Sequence, residues 1–302
     1  MALVLALLAA TAVAFGWIEG LKLEPNPISG PAIEDTFSPV CGCPQRVAHI
    51  SFRLRKTGRL TVAVITPDNH LVRTLVDGRR FRHNRLLFLW NGRADDGTRV
   101  PDGPYRIRLH FGGQHRTIVL PKGTVVDTKA PRVRLLAVDP RVISPDGDHR
   151  RDGLVVRYHV SEQAHAQVLV DRTVAVRGRF APLAGKLSWA GTTRGRTLPA
   201  GIHRISVVAT DLAGNVSQPS RSVPVRIRFV ALARTTIRAR AGTRFGVRVL
   251  ADARIVRWRF LGRSGTTRPG LLVLQARKAG RHVLVVDANG HRARAVVLVR
   301  PR

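Results

Sequence analysis

Three carboxylates cluster in the run Ser144-Pro-Asp146-Gly-Asp148-His-Arg-Arg-Asp152. Calcium loops set oxygen ligands at alternate positions, and Asp146 and Asp148 fit that spacing, while Arg150 stands in the third slot. Asp and Gly also build turns without any ion, so a turn and a calcium loop at Asp146, Asp148 and Asp152 are both open readings. Cys41-Gly-Cys43-Pro44 holds the two cysteines of the chain. A lone pair is too few ligands for a metal centre, which leaves a local disulfide closing a very small ring, or links between chains, in an oxidising compartment. The 11 histidines are scattered. They form no His-x-x-x-His pattern, and no Gly-x-Ser-x-Gly turn, phosphate-cradling glycine loop or paired-carboxylate cleft accompanies them. The expectation is a protein that is not an enzyme, with no cofactor beyond that calcium option.

Arginines supply the remaining chemistry. They stand in pairs two residues apart at 106 and 108, 226 and 228, 257 and 259, and 292 and 294. Side chains two apart on a strand share a face, so each pair predicts a basic outer surface on its sheet. Arg226, Arg228, Arg257, Arg259, Arg292 and Arg294 are the candidate polyanion-binding residues. Charge on exposed strands also serves solubility and blunts edge pairing. Yet residues 229–302 carry 17 Lys and Arg against two acids, more than solubility demands.

The elements that would position these residues are strands. Two-residue apolar alternation recurs through the body, as in Tyr105-Arg-Ile-Arg-Leu109, Leu154-Val-Val-Arg-Tyr158 and Phe245-Gly-Val-Arg-Val249, with turn signals such as Asp102-Gly103 and Asn289-Gly290 between them. With a net charge of +32, 44% apolar residues and 302 positions, the composition is that of a folded chain of several domains and not of a disordered polycation. A duplication is visible. Trp90, Gly92, Pro101 and Gly103 return as Trp189, Gly191, Pro199 and Gly201, while Ile50, Phe52 and Leu54 return as Val156, Tyr158 and Val160. A period near one hundred residues is domain-sized. The last third keeps strand alternation and one tryptophan, Trp258, so that Trp90, Trp189 and Trp258 are expected each to plug a sandwich core.

The segment from Trp90 to Tyr105, Trp-Asn-Gly-Arg-Ala-Asp-Asp-Gly-Thr-Arg-Val-Pro-Asp-Gly-Pro-Tyr, resembles the hairpin of the immunoglobulin-like (Ig-like) domain of flagellar hook-capping proteins. The second copy is similar but lacks the acidic residues after Gly191 and has His203 where the first has Tyr105. The resemblance covers roughly residues 38–228 and implies a fold, not a flagellar role. Together with the strand alternation and the uncharged N-terminal run, the expected fold class is all-β, with three tandem Ig-like β-sandwiches behind one N-terminal transmembrane or signal helix. The domain plan is a helix over 1–20, a stalk over 21–37, an Ig-like domain over 38–128, a degenerate second one over 129–228 and a basic C-terminal sandwich over 229–302.

Residues 1–18 contain no charge and Trp17 suits a membrane interface. A membrane anchor with an extracytoplasmic body, or a cleaved signal with a secreted body, both follow. The flanking charge, with Lys22 after the run and none before it, opposes the usual orientation rule. The functional expectation is a cell-envelope protein acting in adhesion, binding or spacing. Its expected partners are an anionic polymer of the envelope or another envelope protein, and the membrane through the N-terminal helix. A nucleic-acid binder is the alternative, opposed by an aromatic content of 5%. An accessory structural subunit of an envelope or secretion complex is a further one.

Overall fold

The computed structural model describes residues 26–113 and 115–302, together with Ala10, Thr11 and Val13, which are helical. The membrane or signal helix expected over 1–20 otherwise lies outside the described residues. Among them, no helix is long and apolar enough to cross a membrane. The body is built of strands, with one short 3-10 turn at Pro44–Arg46.

Three hydrophobic cores form, one over Ile28–Val126, one over Val138–Phe229 and one over Leu232–Val299. The chain divides into two compact units, residues 1–128 and 129–302, the second holding the latter two cores. Each core lies between a three-stranded sheet and a larger one, which has six strands in the first sandwich and five in the other two. In the first sandwich, Ile28–Ile33, Ala48–Leu54 and Arg85–Trp90 make the smaller sheet. The larger runs Thr36–Phe37, Thr124–Val126, Gly103–Phe111, Gly58–Ile65 and Leu71–Phe81, with Arg116–Val119 also pairing on Gly103–Phe111.

The chain thus crosses between sheets after Ile33 and pairs Thr36–Phe37 in parallel with Thr124–Val126. The same order recurs in the second sandwich, with Val133–Asp139, Leu154–Val160 and Ala184–Trp189 facing a sheet that begins with Val142–Ile143. It recurs again in the third, where Val230–Leu232, Arg244–Ala251 and Gly270–Gln275 face Thr236–Arg240, His291–Arg300, Gly280–Ala288, Val256–Phe260 and Arg263–Thr267. Two packed sheets, antiparallel but for one parallel edge pair in each sandwich, with this crossed connectivity are the Ig-like arrangement, and the protein contains three in tandem.

One expectation is corrected. Residues 28–37, assigned above to a stalk, form the first two strands of the first sandwich, with Ile28, Ile33 and Phe37 buried in its core. Gly30, Pro31 and Pro27 disguise them, because their turn-like composition hides a strand that bulges between Ser29 and Ala32.

The tryptophans differ. Trp90 is wholly buried, meets Phe37 and Tyr105 edge-on at ring-centroid distances of 5.4 and 5.0 Å, and donates from Nε1 to the Arg93 carbonyl. Trp189 repeats this with a bond to the Thr192 carbonyl. The glycine two residues on is required in both copies. Gly92 and Gly191 sit at φ of +70° and +71°, and a Cβ there would meet the ring of Pro39 at 3.0 Å or of Pro145 at 2.5 Å. Trp258, expected as the third core plug, is only half-buried at the core margin. Ala276, wholly buried, follows the third-sandwich strand equivalent to those that end in Trp90 and Trp189.

A corner bond marks the same place in all three sandwiches. Tyr105 Oη donates to the carbonyl of Pro101, four residues back. His203 Nε2 makes that bond to Pro199, and His282 Nε2 makes it to Lys278. A Tyr that bonds back to the backbone at the start of this strand is a feature of Ig-like sandwiches. Here histidine replaces it twice.

His203 Nδ1 also reaches Asp171 Oδ2 at 2.7 Å, and Asp171 Oδ1 accepts the Arg204 N–H at 2.8 Å. Burial pushes the Asp171 carboxyl up, but the Arg204 N–H, the His203 ring and the charges of His203 and Arg204 together hold it below its ordinary value. A carboxyl depressed in the folded state contributes stability above its unfolded value, near 3.9, and loses it as pH falls through the folded one. In Asp171→Asn the gap in melting temperature from the parent protein should therefore be full at neutral pH. It should close as the pH drops below about 4. A gap independent of pH would contradict this account.

Candidate functional site

The third sandwich presents an arginine-rich outer face on its five-stranded sheet, and strand pairing builds it. Arg257 lies opposite Asp287, which lies opposite Arg292, and in the next row Arg259, Val285 and Arg294 line up across the same strands. Below them Arg281, Leu298 and Arg238 form a further row, and Arg300 pairs with Arg240. Each of these arginines is exposed, because the alternate residues, such as Val256, Leu284, Val286, Val297 and Val299, are the ones the core takes.

Asp287 is the one acid in these rows. It accepts Arg292 Nε at 2.8 Å and Arg259 Nη2 at 3.3 Å. The Arg292 hydrogen bond, opposed by modest burial and aided by the charges of Arg292 and Arg259, holds its carboxyl below the usual carboxylate range. The aspartate thereby orders two guanidinium groups and leaves the face strongly positive. Strands about 4.8 Å apart put Arg257 and Arg292 about 10 Å from each other, a span a flexible chain of anions can follow. Arg257, Arg259 and Arg292 also line a groove of about 880 Å3 with Ser264 and Thr266. Between the upper and lower arginines runs an aliphatic strip of Val283, Val285, Val296 and Leu298.

Of the six candidate polyanion residues, the structure brings Arg257, Arg259, Arg292 and Arg294 together on this sheet. Arg226 and Arg228 belong to the end of the second sandwich, where Arg226 is exposed and Arg228 is half-buried with an enclosed Nε that has no partner. Arg238, Arg240, Arg281 and Arg300 were missed. The first two show the same period-two signal, whereas Arg281 is a singleton and Arg300 stands at the end of its strand, and only strand pairing brings these two in. Cys41 and Cys43 are joined in a disulfide. Asp146, Asp148 and Asp152 do converge, with one carboxylate oxygen of each within 4.8 Å of the others.

No family model matches the chain, and no curated protein does either. Among solved structures, the I9-I11 tandem from titin is similar at 11% identity over 91% of this chain and 100% of that one, with a TM-score of 0.33. A fragment of a 1.5-MDa bacterial ice-binding adhesin matches at 11% identity over 92% and 100%, with a TM-score of 0.28. A tetra-tandem repeat from the extending region of a large adhesion protein matches at 12% identity over 89% and 73%, with a TM-score of 0.27. At these values no residue, ligand or role passes to this chain, and the fold assignment rests on its own strand order.

Proposed function

We propose that this protein is a non-enzymatic extracytoplasmic spacer and binding protein of the cell envelope, in which Ig-like sandwiches carry a C-terminal basic face that holds an anionic polymer. The observation that supports it is the arginine-lined outer sheet of the third sandwich, where eight exposed arginines (238, 240, 257, 259, 281, 292, 294 and 300) stand in neighbouring rows that hold a single acid, Asp287. Guanidinium groups bind carboxylate and phosphate through paired N–H donors and are weakly hydrated, which suits repeated capture along a polymer. The Cys41–Cys43 disulfide supports a location outside the reducing cytoplasm. The anchor or secretion signal in residues 1–20 and the resemblance to hook-capping Ig-like domains belong to the same reading.

Titration with a soluble acidic polysaccharide across a salt series tests it. Apparent affinity should fall steeply as sodium chloride rises from about 50 to 200 mM, as counterion release requires, while a neutral dextran should show no binding. Affinity that does not change with salt would remove the electrostatic basis. Tighter binding to single-stranded DNA than to the polysaccharide at equal charge would favour the nucleic-acid reading.

A further inference from the structure

We propose that the third sandwich carries, at the corner between strands Arg263–Thr267 and Gly270–Gln275, a docking groove for an extended acidic segment of a partner protein with an aromatic residue at its centre. The groove goes beyond the polymer-binding face, since it opens at the side of the sandwich between the outer strands of the two sheets. The three sandwiches differ at this corner.

In the first, the equivalent strands are Leu71–Phe81 and Arg85–Trp90, and residues 91–102 lead from Trp90 to the next strand, Gly103–Phe111. That segment folds back over the corner as a hairpin. The Asp95 N–H donates to the Val72 carbonyl at 3.0 Å, the Asp95 carboxylate accepts the Thr74 N–H at 3.0 Å, and the Ala94 carbonyl accepts Arg73 Nη1 at 3.1 Å. Ala94 packs against the core that holds Trp90. The second sandwich repeats the arrangement, with Trp189 buried, Leu198 against the core and Thr192–Thr193 beside Thr173–Arg177.

In the third, residues 276–279 are all that joins Gly270–Gln275 to Gly280–Ala288. Ala276 stands two positions after the inward-facing Leu274, as Trp90 does after Phe88. Among the described residues, no hairpin covers the corner. What the smaller side chain and the shorter link leave is a cavity of about 420 Å3. Phe260, Leu261 and Leu274 line it with the half-buried Trp258, whose indole lies over Gly265, where a Cβ would come within 2.9 Å of the ring. Arg263, Arg277 and Lys278 stand exposed at the rim, and among the described residues no acid lines it. The bond of His282 Nε2 to the Lys278 carbonyl, 2.9 Å, fixes the short link that carries two of these cations.

An apolar pocket ringed by cations and bounded by two outer strands fits a strand-like peptide. Main-chain groups meet a sheet edge, an aromatic ring fills the cavity and acidic side chains pair with the rim. The first sandwich indicates the occupant's chemistry, because it fills this corner with an aromatic residue and an aspartate of its own chain. A second copy suits the groove less, since it would bring a net charge of +32 against the same sign.

The test uses the full chain in about 150 mM sodium chloride and a fluorescein-labelled peptide with one tryptophan between runs of Asp and Glu, read by anisotropy. Serine in place of the peptide's tryptophan should weaken binding about ten-fold, and so should the matching amides in place of its acids. Trp258→Ala should cost about ten-fold, as should Arg277→Glu combined with Lys278→Glu, whose exposed positions leave the fold intact. Serine at Arg257, Arg259, Arg292 and Arg294 should change peptide binding by no more than about three-fold, which separates this groove from the polymer-binding face. Equal binding of the tryptophan and serine peptides, or binding untouched by both groove variants, would mean adsorption to net charge and overturn the proposal. Self-association of the chain alone, abolished in Trp258→Ala, would give the groove to a second copy and overturn it as well.

Discussion

Replacing Arg257, Arg259, Arg292 and Arg294 together with serine will cut affinity for an acidic polysaccharide at least ten-fold in low salt and flatten its salt dependence. Each side chain released from a polyanion removes about one unit from the slope of log affinity against log salt, so four removed contacts lower it by up to about four. The four positions are exposed and on the solvent side of the sheet, which keeps the core intact, and surface changes of this kind stay within about 0.5 kcal/mol of the parent stability. Asp287 then loses both partners and its carboxyl should return toward its ordinary value. The paired control replaces Arg53, Arg59, Arg80 and Arg106 of the first sandwich together with serine, which removes the same four charges from exposed positions elsewhere. Equal losses from the control and from the quadruple variant would mean that net charge, not this face, carries binding. Unchanged affinity in the quadruple variant would end the assignment of the site.

Trp90→Ala should be the most destabilising single change in the first sandwich. The side chain is wholly buried against Phe37 and Tyr105 and also satisfies the Arg93 carbonyl. Truncating such a residue costs about 3–5 kcal/mol, a large share of the 5–15 kcal/mol that a domain typically holds. With a urea slope of about 1–3 kcal/mol per molar, the transition of that sandwich should move down by about 2 M. Trp189→Ala should match it in the second sandwich. Trp258→Ala should cost much less, because that ring lies half-exposed at the core margin. Three equal shifts in urea midpoint would show that Trp258 is a core plug after all.

Strand alternation, the duplicated Trp-x-Gly and Pro-x-Gly positions and the alternate arginines are all local patterns, and each reads directly as structure because the side chains of a strand point to opposite faces in turn. That made the all-β body and the basic pairs at 257 and 259 and at 292 and 294 legible. The strand Ile28–Ile33 was not legible, since Gly30 and Pro31 carry turn signals and only the pairing with Ala48–Leu54 makes a strand of it. The third sandwich was expected from its strand alternation, though not as a copy of the first two. It lacks the tryptophan signature, and its kinship shows only in strand order and in the corner bond of His282 to the Lys278 carbonyl.

Local pattern alone therefore determined the class of fold, the sign of its surface and the loop where three aspartates gather. Tertiary structure decided which arginines share a face, which tryptophans are enclosed, and that Asn289 arrives beside Asp146 and Asp148, more than a hundred positions earlier. The reason is physical. Alternation is set by the geometry of a single strand, whereas a binding surface is assembled across strands and loops whose meeting depends on how the sheets pair and close.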